Sequence, residues 1–193
     1  MPAAGGITLG ILAGGQATRL GGQDKAWIQR GGQPQVLRIA GRFTSDCCAV
    51  LVSANRDLHR YPTRGLLAVP DRQPGLGPIA GLDALAAACA TPWLFTLPVD
   101  LVNDDARLLT ALAQAAGQGA VACDDDGLQP LVALYRVETL RAALATSIAA
   151  GQYSVQRLQA ALGLKQVALA GLRLGNLNTP ADLAAAGCTI LPE

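Results

Sequence analysis

This chain of 193 residues is short of the groups that most enzymes use for chemistry. Its sole histidine is His59, it has one methionine, aromatic residues make up 4%, and charged residues only 15%. Its five cysteines, Cys47, Cys48, Cys89, Cys123 and Cys188, are odd in number and include no Cys-x-x-Cys spacing. Neither a disulfide framework nor a zinc site is expected, and the cytoplasm is the expected compartment. No apolar run approaches the roughly 18 residues that span a bilayer. No basic residue precedes Arg19, which argues against a signal peptide. A formal charge of +1 excludes a general nucleic-acid or membrane-surface footprint. With 51% hydrophobic residues the chain is not disordered, and its length suits a single domain, residues 1–193, with a substantial core.

The near-neutral total hides an asymmetry. Residues 1–45 carry Arg19, Lys25, Arg30, Arg38 and Arg42 against Asp24 alone, a local +4, which leaves −3 for the remainder. A basic segment beside later acidic positions suits a polyanion held with a metal ion, although solvated charge gives the same pattern.

Apolar periodicity and turn residues predict a strand over 6–12, a helix over 34–43 opened by Pro34, strands over 47–52 and 66–69, and a turn at 75–78 feeding a helix over 79–89. A strand over 93–97 follows. A helix over 104–116 has its acidic residues in the first turn, where the helix dipole favours them. Strands over 120–123 and 131–135 flank Asp124-Asp125-Asp126-Gly127, which reads as a solvated turn with no metal role. Helices are expected over 137–149, 154–162 and 180–186. Alternating strands and helices make a three-layer α/β/α, Rossmann-like domain with a mostly parallel sheet covered on both faces. Ligands in such sheets bind at the carboxyl ends of the strands, where Gly14-Gly15 and Asp100 fall.

The segment from Leu12 to Lys25, LAGGQATRLGGQDK, is neither a Walker loop nor a dinucleotide fingerprint, since Lys25 is flanked by Asp24 and Ala26 and the paired glycines do not make GxGxxG. Its physics is still legible. Glycines let backbone N–H groups approach phosphate oxygens, and Arg19 and Lys25 supply countercharge. A plain glycine turn with solvated cations is the competing reading.

Leu12-Ala-Gly-Gly followed by Arg19-Leu-Gly-Gly-x-Asp-Lys25 resembles the signature of the molybdenum cofactor guanylyltransferases, of the nucleotide-diphospho-sugar transferase fold. The likeness continues in order through Ala54-Asn55-Arg56, Val69-Pro70-Asp71, Gly77-Pro78-Ile79-Ala80-Gly81, Pro98-Val99-Asp100, Gln129 to Leu134, and Asn176 to Leu183. The resemblance implies transfer of GMP from GTP to the terminal phosphate of molybdopterin with Mg²⁺, giving the guanine dinucleotide cofactor and pyrophosphate. A phosphate nucleophile with a second pKa of about 6 is largely dianionic at neutral pH and needs no serine, cysteine or strong base.

The same resemblance implies the site. Leu12, Ala13 and Gly14 would lie along the guanine and ribose, with Gly22 in the same loop. Gly15 would select guanine, because the related cytidylyltransferases carry Ala-Ala-Gly. Lys25 and Arg19 would act on the phosphates. Asp71 would contact the nucleotide, with a strand-end cap as the competing reading. Ser53 stands where relatives carry Asn, which moves a ribose or base contact toward Asn55. Asp100, behind an apolar strand and a proline, is the metal-ligand candidate, since Mg²⁺ favours a carboxylate together with substrate phosphates. Asn176 and Asn178 would face the pterin, cap the following helix, or both. Relatives place charged residues after position 151, whereas Gln152-Tyr153-Ser154 is neutral. GTP and molybdopterin are the implied partners, with other cofactor-biosynthesis proteins and molybdoenzyme chaperones beyond them. A monomer is expected. A cytidylyl- or sugar-phosphate nucleotidyltransferase, or a non-catalytic cofactor carrier, are the alternatives; Gly15 argues against the first, and Lys25 with Asp100 against the last.

Overall fold

Six consecutive uncharged residues, apolar but for Thr8, place the first strand, β1 (Ile7–Leu12), in the middle of the molecule, and every one of them is buried. The computed structural model describes residues 6–14, 24–115 and 117–190. Alternate side chains of β1 feed two different cores. Leu9 and Ile11 join one cluster and Leu12 the other, as the two-residue period of a strand requires. Gly10 faces the second cluster, where a Cβ would come within 2.9 Å of a Leu94 methyl and 3.0 Å of a Leu85 methyl. A glycine here lets a helix lie closer to the sheet.

The remaining strands are β2 (Gln29–Arg30), β3 (Gln33–Pro34), β4 (Ala49–Ser53), β5 (Leu67–Val69), β6 (Trp93–Pro98), β7 (Gly119–Asp124), β8 (Gly127–Arg136), β9 (Lys165–Ala168) and β10 (Cys188–Thr189). The helices are α1 (Gln35–Arg42), α2 (Pro78–Ala88), α3 (Arg107–Ala115), α4 (Val137–Ala149), α5 (Val155–Ala161) and α6 (Pro180–Ala185). Seven strands form the main sheet in the order β5-β4-β1-β6-β8-β7-β9. All run parallel except β8, which is antiparallel to both of its neighbours. Helices α1 and α3 cover one face through Val36, Ile39, Leu108 and Leu112. Helices α2, α4 and α5 cover the other through Ile79, Leu85, Leu140, Leu144 and Leu158. This is the α/β/α architecture expected. No helix among the described residues is long and apolar enough to cross a membrane.

The departures from expectation lie where local signals are weak. Strands β2, β3, β9 and β10 were not predicted. The first, second and last of these make a small antiparallel sheet, β10-β2-β3, too short to show a period. The predicted strand 131–135 is the second half of a ten-residue strand. Helix α3 starts at Arg107, so Asp104 and Asp105 precede it rather than occupy its first turn. Asp105 still serves that end, accepting the Arg107 N–H at 2.8 Å; the Arg107 side chain holds its carboxyl down at about 2.

The turn at Asp124-Asp125-Asp126 is not simply solvated. Asp124 is buried and accepts the Leu174 N–H at 2.8 Å, the Asp126 N–H at 3.0 Å and the Gln129 amide at 3.0 Å. Asp125 accepts the Gly171 N–H at 3.1 Å. The turn therefore docks the segment 171–178 onto the sheet. The helix α6 is capped by Thr179 and Asp182 in a reciprocal capping box, so of the alternatives for the Asn-x-Asn turn the capping one does not hold.

Candidate active site

Strands β1, β4, β5 and β6 all end on one side of the sheet, and the chain leaves each of them through residues that stay close together. The Ala13 N–H donates to the Ser53 carbonyl at 2.9 Å, Val99 N–H to Leu12 at 3.0 Å and Ala54 N–H to Val69 at 3.1 Å. These bonds extend the sheet pairing just beyond the strands and shape the floor of a cleft of about 1000 Å³. Leu12, Ala13 and Gly14 line it, as do Ser53, Asn55 and Asp71, and Lys25, Asp100 and Asn178.

The polar side chains in the cleft are already arranged in pairs. Lys25 follows Asp24, whose carboxylate accepts the Ala26 N–H at 2.9 Å and so starts a short 3-10 turn over Lys25–Trp27. Burial raises the Asp24 pKa, although that backbone donor opposes it. The turn aims the Lys25 ammonium at Asp100 Oδ2, 2.8 Å away, and at Asn178 Oδ1, 2.9 Å away. Both members of the ion pair are one-fifth exposed, so they remain within reach of a ligand.

Asn55 and Asp71, which also line the cleft, clasp each other. The Asn55 amide donates to Asp71 Oδ2 at 2.7 Å, and the Asp71 N–H donates back to Asn55 Oδ1 at 2.9 Å. The strand-end reading of Asp71 therefore gives way to a side-chain clasp, and Asp71 Oδ1 is left buried with no hydrogen-bond partner among the described residues. Ser53 Oγ is in the same condition at the end of β4. Buried polar atoms of this kind cost free energy unless something else satisfies them. Two such atoms lining one cleft point to a polar ligand.

Helix α2 approaches the cleft with its N-terminal end, Gly77, Pro78 and Gly81 lining it. A Cβ at Gly81 would sit 2.6 Å from Ser53 Oγ and 3.0 Å from a Leu12 methyl. The free N–H groups and positive end of the helix dipole favour an anion there.

Nine of the expected site residues thus come together: Leu12, Ala13, Gly14, Lys25, Ser53, Asn55, Asp71, Asp100 and Asn178. Asn176 does not join them; it is exposed and forms a β-bridge with Leu101. Gly15, Arg19 and Gly22 lie outside the described residues. Sequence reasoning gave no role to Arg56, Gly81 or Leu131, which also line the cleft, although all three stand in the motifs quoted for the resemblance. His59 is exposed on a 3-10 turn and takes no part. Among the described residues no group of three or more metal-ligating side chains exists. A metal held here would rest on Asp100 and on ligand oxygens, which is the habit of Mg²⁺.

Solved structures share this architecture. The inositol-1-phosphate CTP transferase from T. maritima superposes with a TM-score of 0.77 at 12% identity, covering 97% of this chain and 96% of that one. The molybdopterin-guanine dinucleotide biosynthesis protein A from Archaeoglobus fulgidus does so with 0.71 at 20% identity, covering 93% and 96%. The fold is that of the nucleotidyltransferases. Among sequences, a molybdenum cofactor guanylyltransferase of Serratia proteamaculans is 35% identical over 181 residues, 91% of each chain. Residues 9–167 match the MobA-like NTP transferase domain, and the chain belongs to that family.

Proposed function

We propose that this enzyme transfers GMP from GTP to the terminal phosphate of molybdopterin, releasing pyrophosphate. What supports the reading most is the meeting of Lys25 and Asp100 at the carboxyl ends of β1 and β6 in a chain 35% identical to a guanylyltransferase over nearly its whole length. We take residues 1–193 as one nucleotidyltransferase domain acting in the cytoplasm, with GTP and molybdopterin as its substrates.

A phosphate oxygen of the pterin attacks the α-phosphorus of GTP, and the bond from that phosphorus to its bridging oxygen breaks as pyrophosphate leaves. Both reactants are anions, so the protein's task is alignment and charge stabilisation rather than proton abstraction. The Leu12–Gly14 backbone lies along the guanosine, and Gly15 and Gly22 act with it on the nucleotide. Asp71 Oδ1 and Ser53 Oγ await hydroxyl or base N–H groups, with Asn55 holding Asp71 in its rotamer. Lys25 has three N–H donors, two of them directed to Asp100 and Asn178, which leaves the third for a phosphate oxygen. Arg19 adds a second cation to the phosphates. Asn178, and not Asn176, faces the second substrate. Asp100 would hold the Mg²⁺, which neutralises charge on the phosphates.

Incubation with each labelled nucleoside triphosphate, Mg²⁺ and molybdopterin tests the reading. Pyrophosphate and a guanine dinucleotide, formed from GTP in preference to CTP, are expected. Turnover with CTP or with a sugar phosphate in place of the pterin would overturn it.

A further inference from the structure

The loop that carries Asp100 is gripped from both sides, and one of the two grips uses cations of the basic N-terminal segment. On one side the loop pairs with the docked segment: the Leu177 N–H donates to the Asp100 carbonyl at 2.8 Å, Val102 N–H to Gly175 at 3.2 Å and Asn103 N–H to Leu174 at 2.8 Å. On the other side lie helix α1 and strand β2. Gln35, wholly buried, donates its amide to the Leu101 carbonyl at 2.6 Å. Arg38 donates Nε to Gln35 Oε1 at 3.1 Å, Nη2 to the Leu101 carbonyl at 3.4 Å and Nη1 to Asp104. Arg42 reaches the Asp104 carbonyl and Arg30 the Val102 carbonyl.

Three of the five cations of the basic segment therefore bind the protein's own backbone. The peptide between Leu101 and Val102, one residue beyond Asp100, receives the most of this attention. Its carbonyl is held by a buried amide, and the other end of that amide is locked by a guanidinium. The preceding peptide, which begins at Asp100, is held through the Asp100 carbonyl by Leu177. Each peptide is planar, so two held planes leave little freedom at the Leu101 Cα that joins them, and the backbone leaving Asp100 is fixed.

We propose that Gln35 and Arg38 are positioning residues for Asp100: they hold the Leu101 peptide so that the carboxylate is set for the divalent cation before the nucleotide arrives. This inference rests on Asp100 being the metal ligand. Without the Gln35 amide the Leu101 carbonyl keeps only the longer bond from Arg38, and Arg38 Nε loses its acceptor. The peptide is then freer to rotate, and a misplaced carboxylate loses affinity for an ion that demands near-ideal geometry. The helix itself would survive, since α1 is anchored by Val36, Ile39 and Ala40 in the core.

The test is equilibrium binding of Mn²⁺, as a probe for Mg²⁺, to the full chain with a non-hydrolysable GTP analogue, read from the electron paramagnetic resonance of the free ion. The variants are Gln35→Met, which keeps volume and loses the donor, Arg38→Met on a less buried position, Val36→Ala as a destabilised control on the same helix, and Asp100→Asn. Gln35→Met and Arg38→Met are expected to weaken Mn²⁺ binding about 5–20-fold, and Val36→Ala less than twofold, at matched folded fractions. Should Gln35→Met fail to fold, Arg38→Met carries the comparison. Mn²⁺ binding unchanged in Gln35→Met and Arg38→Met while Asp100→Asn loses it overturns the inference and leaves the metal-ligand reading intact. Equal weakening in Val36→Ala overturns it too, by reducing the effect to stability. Unchanged binding in Asp100→Asn overturns the reading beneath it.

Discussion

Lys25 and Asp100 are separated by 75 residues in the chain and by 2.8 Å in space. The pair closes a line that continues to Asn178, a further 2.9 Å from the same ammonium. Three distant segments meet on one nitrogen, so its surroundings depend on docking of the C-terminal segment.

Replacing Lys25 by Ala should separate binding from stability. A partly exposed ion pair contributes about 0–1 kcal/mol to folding, so the thermal midpoint should move by no more than about 4 °C. Loss of a cation bound to a triphosphate costs more, and GTP affinity or kcat/KM should fall at least about tenfold. Calorimetric melting beside GTP titration reads both. A large loss of midpoint with normal turnover of the folded fraction would sink the assignment.

Asp100→Asn keeps the shape of the side chain and removes its charge. Turnover should fall by roughly two orders of magnitude or more, with the fold retained, because metal ions supply several kcal/mol of transition-state stabilisation. Raising Mg²⁺ should recover part of the rate if affinity is the main defect. Steady-state kinetics over a Mg²⁺ series checks this, and near-normal turnover at ordinary Mg²⁺ would count against the carboxylate.

Gly81→Ala puts a methyl 2.6 Å from Ser53 Oγ. The alanine favours the helix by about 1 kcal/mol, but the clash costs about 1–3 kcal/mol. The cleft floor must shift, and the KM for GTP should rise several-fold. Ser53→Ala in the same chain removes the offending oxygen. A double-mutant cycle should therefore show a coupling of about 1 kcal/mol, and strict additivity of the two changes would rule out the contact.

Asp124 gives the acid limb of stability. Burial acts to raise its pKa, but the Leu174 N–H, the Gln129 amide and neighbouring backbone donors outweigh it and hold the carboxyl below its ordinary value of 3.8. A depressed native pKa contributes stability above the unfolded value, lost as pH falls from 3.8 through the native pKa. Asp124→Asn should lower the melting midpoint at pH 7, and the gap from the parent should narrow below about pH 4. Melting curves from pH 3 to 7 decide it; a gap independent of pH would show that the carboxylate charge is not what docks residues 171–178.

The local elements were legible in the residues because each carries its own physical mark. β1 is an uncharged run that is apolar but for Thr8, α2 opens at Gly77-Pro78, and β6 ends at Pro98 before Asp100. Period, cap and breaker are properties of neighbours in the chain, and so the strand ends, with Gly14 and Asp100 on them, followed from sequence; Ser53, Asn55, Asp71 and Asn178 were implied by the family resemblance. What the chain could not declare was which distant groups would satisfy one another. Arg30, Arg38 and Arg42 look like countercharge for a ligand, yet they face the carbonyls of a loop more than sixty residues away. Asp124 looks like a solvated turn and is a buried acceptor for Leu174, fifty residues on. The insertion of the antiparallel β8 between β6 and β7 is likewise a matter of which edges meet. Short-range order is set by local sterics and hydrophobic spacing. The destination of a buried donor or acceptor is set by the rule that it must find a partner once packing has excluded water, and that rule has no address in the sequence.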